Sequence, residues 1–303
     1  MRLALGTVQL GLNYGILNTS GKPDAAEARA TVKAAWEGGC RHFDTARAYG
    51  DSEQVLGQCL RQLGIARDSK VITKVGTGPH QLESYDSELT LSLGNLQCDS
   101  VYGLLLHREE ALHHWDDWLG PWMREKLHKK VAARIGVSVY NPEFALKALD
   151  IPEISILQIA FNVFDRKMLR AEVLKKARER GVDLYIRSVY LQGLALAKPS
   201  EIPAHLPFAA APVSLLDRFC EQHNIERREF VVGYVADHVR EGFLLMGAEN
   251  SRQAGSNCAL IKALPSRPTL TALWDQLFPE DDPTLANPAT WPMKPERTSR
   301  AEA

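Results

Sequence analysis

Eight times along this chain a short apolar run is followed by a stretch of helical character, and no Ser/Gly-rich linker interrupts the series. That alternation constrains the fold more than any other feature. The runs are RLALGTV (2–8), RHFDT (41–45), KVITKV (70–75), SVYGLLLH (100–107), RIGVSV (134–139), SILQIAF (155–161), VDLYIRS (182–188) and GFLLMG (242–247). Several lack the alternation of a half-exposed strand, which is how strands buried on both faces read. The helical stretch DAAEARATVKAAWEGG (24–39) places Asp24 as an N-cap after Pro23 and ends at Gly38-Gly39. RKMLRAEVLKKARERG (166–181) carries its cations late, in keeping with the helix dipole. Residues 51–64, 211–224, 227–242 and 250–264 read as helices in the same way. Right-handed crossovers between eight parallel strands predict an α/β fold, a closed (β/α)8 TIM barrel with a C-terminal extension. A doubly wound open sheet is the alternative. The closing segment, FPEDDPTLANPATWPMKPERTSRAEA, is rich in Pro and charge and is expected to wrap the barrel as far as about Trp291. One domain over 1–293 and a disordered tail over 294–303 are therefore expected.

Composition narrows the function classes. Hydrophobic residues make up 45% and charged residues 24% of the 303, enough for a large core. A formal net charge of −1 favours neither nucleic acid nor an anionic membrane as a partner. Five cysteines, at 40, 59, 98, 220 and 258, form no CxxC pair, which argues against a disulfide framework or zinc site and for a reducing compartment. The opening MRLALGTVQLGLNYG is broken early by Gly, Gln and Asn and reads as strand and loop, not signal peptide. No apolar run approaches the roughly 20 residues of a membrane span. A cytoplasmic protein is the expectation. LHHWDDW (112–118) holds two histidines and acids, but reads as a surface or pocket loop, with Trp115 or Trp118 lining the pocket, and no metal site is expected.

In such a barrel the chemistry lies at the C-terminal ends of the strands. Asp44 ends the second run, Tyr49 follows in its loop, Lys74 ends the third run and His107 the fourth. Alone, each of these has an ordinary structural explanation. Together they place four proton-handling groups on one rim. A phenol with pKa near 10 is a poor acid at neutral pH, and an adjacent ammonium lowers that pKa. Asp44 can hold Lys74 charged, and His107 can bind a carbonyl oxygen. This set protonates oxygen while hydride arrives at carbon, and hydride requires a cofactor.

GGCRHFDTARAYGDSEQVLGQCL (38–60) resembles the aldo-keto reductase signature GxxxxDTAxxYGxSExxLGxxL, and VITKVG and LLLHR resemble that family's lysine and histidine motifs. The resemblance runs from LALGTVQLG to about NPATW. It implies Tyr49 as general acid, Lys74 as its pKa partner, Asp44 as the lysine's partner and His107 as the substrate orienter. It further implies a nicotinamide cofactor, bound without a GxGxxG fingerprint. Ser138 and Gln158 match the carboxamide-binding pair, although Val139 stands where the family often has Asn. Arg187 stands where many relatives stack an aromatic ring on the nicotinamide. Its guanidinium is expected either to stack there or to turn away to a rim acid. Ser188, Leu191, Gln192 and Gly193 would lie along the pyrophosphate. MGAENSRQAGSN resembles the adenosine-phosphate segment, with Gly247 in the turn and Gln253 and Asn257 facing the adenine. Glu249 stands where NADPH-preferring members often carry Arg, Lys or Ser, and Arg252 can compensate. NADPH leads on this reading, with NADH the rival.

The leading function is therefore reversible, NAD(P)H-dependent reduction of an aldehyde or ketone. A small-molecule carbonyl is the partner, and the oligomeric state is open. Asn13 and Tyr14 are expected near the pocket, suiting a polar, sugar-like substrate, and the loop 195–212 is a lid or a connector. Two alternatives stand: a nicotinamide-binding regulatory or sensor subunit with little turnover, and a lyase using Lys74 as a Schiff base. Asp44 opposes the second by holding Lys74 protonated.

Overall fold

The structure, a computed structural model, describes residues 1–264, 266–278 and 283–292. The expected disordered tail, 294–303, lies outside the described residues. Eight parallel strands pair in sequence order and close on themselves, as the alternation predicts. They are β1 (Arg2–Gly6), β2 (His42–Asp44), β3 (Lys70–Val75), β4 (Val101–Leu106), β5 (Ala132–Val139), β6 (Ile154–Ala160), β7 (Asp183–Arg187) and β8 (Phe243–Gly247). β8 returns to β1 through five residue pairs, Arg2↔Phe243 to Gly6↔Gly247. Closure leaves no sheet edge, so every strand is buried on both faces and reads as a continuous apolar run.

The helical layer comprises α1 (Ala25–Glu37), α2 (Ser52–Gln62), α3 (Leu82–Leu96), α4 (Gly120–His128), α5 (Pro142–Leu149), α6 (Val173–Glu179), α7 (Ala210–Gln222), α8 (Arg227–Val239), α9 (Ser251–Ala263) and α10 (Pro268–Leu277). Asp24 caps α1 by accepting from the Glu27 amide at 2.8 Å. The helix expected over 166–181 is divided: a single turn at Lys167–Arg170 is followed by α6, with Glu172 left-handed at φ 57° between them. No Gly or Pro marks that break, so local propensity alone missed it. Before α4 the chain passes through a π-helical turn, Trp115–Leu119. Trp115 is buried there, and Trp118 meets the Tyr85 ring edge-on at 5.1 Å. Neither tryptophan lines the central cavity described below. The loop 195–212 is packed down by Ala197, Leu206 and Ala209, all buried. No helix among the described residues is long and apolar enough to cross a membrane.

Two cores result. The larger lies between strands and helices and includes Phe43, Leu104, Val137 and Ile159. The smaller fills the barrel itself with Ala4, Ile72, Leu105, Ile156, Tyr185 and Phe243. Neighbouring strand residues face opposite ways. Phe43 therefore joins the outer core, while His42 and Asp44 on either side of it join the inner one.

Candidate active site

Asp44 is the last inward residue of β2, and strand-like pairing continues past it. The Thr45 amide donates to Ile72 O at 2.9 Å and the Arg47 amide to Lys74 O at 3.1 Å. Two successive turns then close, Tyr49 N to Ala46 O and Ser52 N to Tyr49 O, each 3.0 Å. Gly50 adopts φ +60° here, and a Cβ on it would overlap Gly11 O, so the residue after Tyr49 must be glycine. Thr7 Oγ1 donates to Asp44 O at 2.9 Å and Ser52 Oγ donates to Thr7 O at 2.7 Å, tying this loop to the end of β1. The Tyr49 ring is thereby returned over the mouth of the barrel.

Lys74 is fully buried on β3, and its ammonium has three partners. It donates to Asp44 Oδ2 at 2.7 Å, Thr45 O at 2.9 Å and Tyr49 OH at 3.3 Å. These use all three of its protons. The other carboxylate oxygen, Asp44 Oδ1, accepts from Gln158 Nε2 at 2.7 Å, a bond reaching across from β6. The amide commits its nitrogen to Asp44, and Gln158 Oε1 is left buried without a partner among the described residues. His107 follows β4, its amide bonded to Val75 O at 2.8 Å. Its ring stands perpendicular to Tyr49, centroids 5.8 Å apart, and its Nδ1 is buried with no partner among the described residues.

The electrostatics differ in part from the sequence reading. Burial is the largest influence on Tyr49 and raises its pKa. Lys74 pulls it down and Asp44 up, and the net position is above the ordinary value. The expected lowering by the ammonium is present but is outweighed by desolvation. Burial acts to lower Lys74, but Asp44 and Tyr49 prevail and hold the ammonium above its ordinary value. His107 is lowered to about 3 by burial and by Lys74, Arg187 and Arg108, so its imidazole is neutral at pH 7. At neutral pH the site thus holds a protonated phenol, a charged lysine and a neutral histidine.

A cavity of about 760 Å3 runs from Tyr49 and His107 to the start of α9. Every residue expected to bind cofactor lines it, from Ser138 and Gln158 through the loop after β7 to Gly247 and α9. Ser138 and Gln158 are register partners on β5 and β6. Ser188, Leu191 and Gln192 have φ of 60°, 49° and 57°, with Gly193 at 98°. Left-handed backbone at non-glycine residues costs on the order of 1 kcal/mol each and gathers at ligand sites. At the far end Gln253 Oε1 accepts from the Glu249 amide at 2.9 Å, and Asn257 Nδ2 donates to Gly247 O at 3.0 Å. A Cβ on Gly247 would overlap the Gln9 amide, whose Oε1 is buried with no partner among the described residues.

Arg187 does not turn away to a rim acid; it lines the cavity. Its guanidinium lies 3.6 Å over the Tyr140 ring and donates to Val139 O at 3.1 Å, with no ion pair among the described residues. Tyr140 follows β5 directly and Arg187 ends β7, so the two side chains meet across the end of β6, the strand between them. Tyr14 lines the cavity and Asn13 does not. Sequence reading overlooked Gln9, Tyr140, Tyr190, Arg228 and Ser256, all of which line it. Gln9 lies within LALGTVQLG and Ser256 within MGAENSRQAGSN, but neither was singled out there, and Tyr140, Tyr190 and Arg228 stand outside the matched signatures. His113 and His114 turn to Phe144 and Trp118 respectively. Among the described residues no group of three or more His, Cys, Asp or Glu could hold a metal ion.

Comparison with known proteins places this geometry. A model of the "Aldo/keto reductase family" matches residues 2–276. An aldo-keto reductase of Strobilurus tenacellus is 23% identical over 278 residues, 84% of this chain and 81% of its own. A protein described as a probable voltage-gated potassium channel subunit beta, from Oryza sativa subsp. japonica, is 26% identical over 295 residues, 86% of this chain and 89% of its own. The solved holo form of an aldo-keto reductase from Bacillus halodurans shares 22% identity at a TM-score of 0.74, covering 91% of both chains. At that identity the structural likeness speaks for the fold alone.

Proposed function

The chain belongs to the aldo/keto reductase family, which supports an oxidoreductase, and we propose that it reduces an aldehyde or ketone to the alcohol, with Tyr49 as general acid. The observation that carries this reading is the Lys74 ammonium bound at once to Asp44, Thr45 O and Tyr49 OH at the mouth of a large cavity. The phenol is protonated at neutral pH, as an acid must be before it acts. As its proton passes to the carbonyl oxygen, the phenolate forms beside an ammonium already in place, so little reorganisation is needed. Asp44 and Gln158 keep that ammonium oriented. Neutral His107 can donate one ring N–H to the same oxygen and turn the carbonyl toward Tyr49. Lys74 has no free valence for a Schiff base, which argues against a lyase.

The residues present fit a nicotinamide cofactor. Gln158 Oε1 and Gln9 Oε1 are buried acceptors awaiting donors, and the left-handed loop at Leu191–Gly193 borders the same cavity. Ser138 and Gln158 would hold the carboxamide, the loop from Ser188 the pyrophosphate, and Gln253 and Asn257 the adenine. Bound there in reduced form, the cofactor would supply hydride to the carbonyl carbon while Tyr49 supplies the proton to oxygen. The reverse reaction oxidises the alcohol.

A second reading is a cofactor-binding regulatory subunit with little turnover, and the similarity to the rice channel-subunit relative favours it. Titration with NADPH and NADH, followed by nicotinamide fluorescence, and then a carbonyl panel separate the two. Binding with turnover supports the reductase. Binding without turnover on any carbonyl supports the subunit. Binding of neither nucleotide removes both.

A further inference from the structure

At the end of the cavity away from Tyr49 stands a cation that the proposed chemistry does not use. Arg228, the second residue of α8, lines the cavity beside Tyr190, Ser256 and Asn257. Its Nε donates to Tyr190 OH at 3.2 Å, and its two terminal nitrogens donate to Ser256 Oγ at 2.5 Å and Asn257 Oδ1 at 2.6 Å. All three acceptors are neutral. Neighbouring charges are engaged elsewhere: Arg227 pairs with Asp217, Glu229 with Arg267, and Glu226 caps α8. No ion pair to Arg228 exists among the described residues. A guanidinium has five donors, and three bonds fix this one in orientation while leaving two N–H groups. A fixed, uncompensated cation on a half-buried wall is costly unless an anion completes it.

The position indicates which anion. A dinucleotide whose reacting ring sits at Tyr49 carries its adenosine to α9, where Arg228 grips Ser256 and Asn257. Beyond the bridging pyrophosphate, the one further phosphate such a cofactor can carry is on the adenosine ribose. Glu249 faces the same end with the opposite charge, and Arg252 is exposed at the lip. Resting on the nicotinamide reading above, we propose that Arg228 binds the 2′-phosphate of NADP(H) and makes the chain select NADPH over NADH in spite of Glu249.

Adenosine 2′,5′-bisphosphate and 5′-AMP test this by calorimetry without any turnover, because neither carries a nicotinamide. The wild type should bind the bisphosphate at least roughly tenfold more tightly than AMP. Arg228→Met should shrink that preference to within about threefold while AMP still binds, and Arg228→Lys should retain part of it. Equal affinity of the two nucleotides for the wild type would overturn the inference. So would an intact preference in Arg228→Met. Loss of AMP binding together with bisphosphate binding in Arg228→Met would assign Arg228 to positioning Ser256 and Asn257 instead, and also overturn it. If the wild type binds neither fragment nor either whole dinucleotide, the nicotinamide reading itself falls, a result distinct from a failure of phosphate selection.

Discussion

The barrel interior holds two buried polar clusters, one toward each end, and their difference separates structure from candidate chemistry. At the end where the strands begin, His42 Nδ1 and Tyr185 OH share a hydrogen bond of 2.6 Å. Phe243 covers His42 at 4.1 Å between centroids, Tyr102 meets it edge-on, and Arg2 lies 4.0 Å over Phe243. Where the strands end, Asp44, Lys74, Gln158, Tyr49 and His107 converge. Each cluster contains a histidine lowered to about 3, first by burial and then by nearby cations. A perturbed pKa therefore does not distinguish them. Open valence does. The lower cluster is sealed by rings, whereas the upper one leaves His107 Nδ1, Gln158 Oε1 and Gln9 Oε1 unpartnered beside a cavity.

Substitutions can break this contrast. Tyr49→Phe should reduce carbonyl turnover by roughly 10²–10⁴-fold while nucleotide binding persists. The matching change below, Tyr185→Phe, removes the hydroxyl bonded to His42. It should leave kcat/KM unchanged and lower unfolding stability by about 1–3 kcal/mol. Steady-state kinetics and urea denaturation of both variants check the pair, and equal kinetic losses would erase the distinction. Lys74→Met leaves the buried Asp44 carboxylate without its cation. A destabilisation of about 3–5 kcal/mol should appear in the urea midpoint, and an unchanged midpoint would show that the pair is not buried as described.

The histidines sharpen the comparison through pH. Both fold with pKa near 3 against an ordinary 6.5, so the unfolded chain takes up protons first as pH falls. Stability should be full above about pH 6.5 and decline as pH drops toward 3. His42→Asn and His107→Asn should each flatten that decline, and a profile equally steep in both variants would deny their role. Because His107 stays neutral across that range, kcat should show no ionisation from it between roughly pH 5 and 8. The smallest effect belongs to half-exposed Glu249. Glu249→Arg should move the NADPH/NADH ratio of kcat/KM toward NADPH by roughly fivefold, since screened charges contribute little. A constant ratio would place Glu249 out of reach of the ribose.

Much of this was legible in the residues themselves. Eight apolar runs separated by helical stretches specify parallel strands covered on both faces, a pattern shared by a closed barrel and a doubly wound sheet, and the pairing of β8 with β1 decides for the barrel. The spacing from Asp44 to Tyr49, with Gly50 behind it, determines that a strand end and its loop share one rim. Lys74 and His107 take their places from the same rule of strand ends. Other features required the folded chain. The break at Glu172 has no local marker. The net rise of the Tyr49 pKa depends on how completely the ring is desolvated, which no spacing reveals. Gln158 spends its nitrogen on Asp44 across the barrel, 114 positions away in sequence. Arg187 lies on Tyr140, and Arg228 reaches Tyr190, Ser256 and Asn257, because closure brings distant helix and strand ends to a common cavity. Sequence period specifies which face a side chain takes, but its partners are set by where the other elements end.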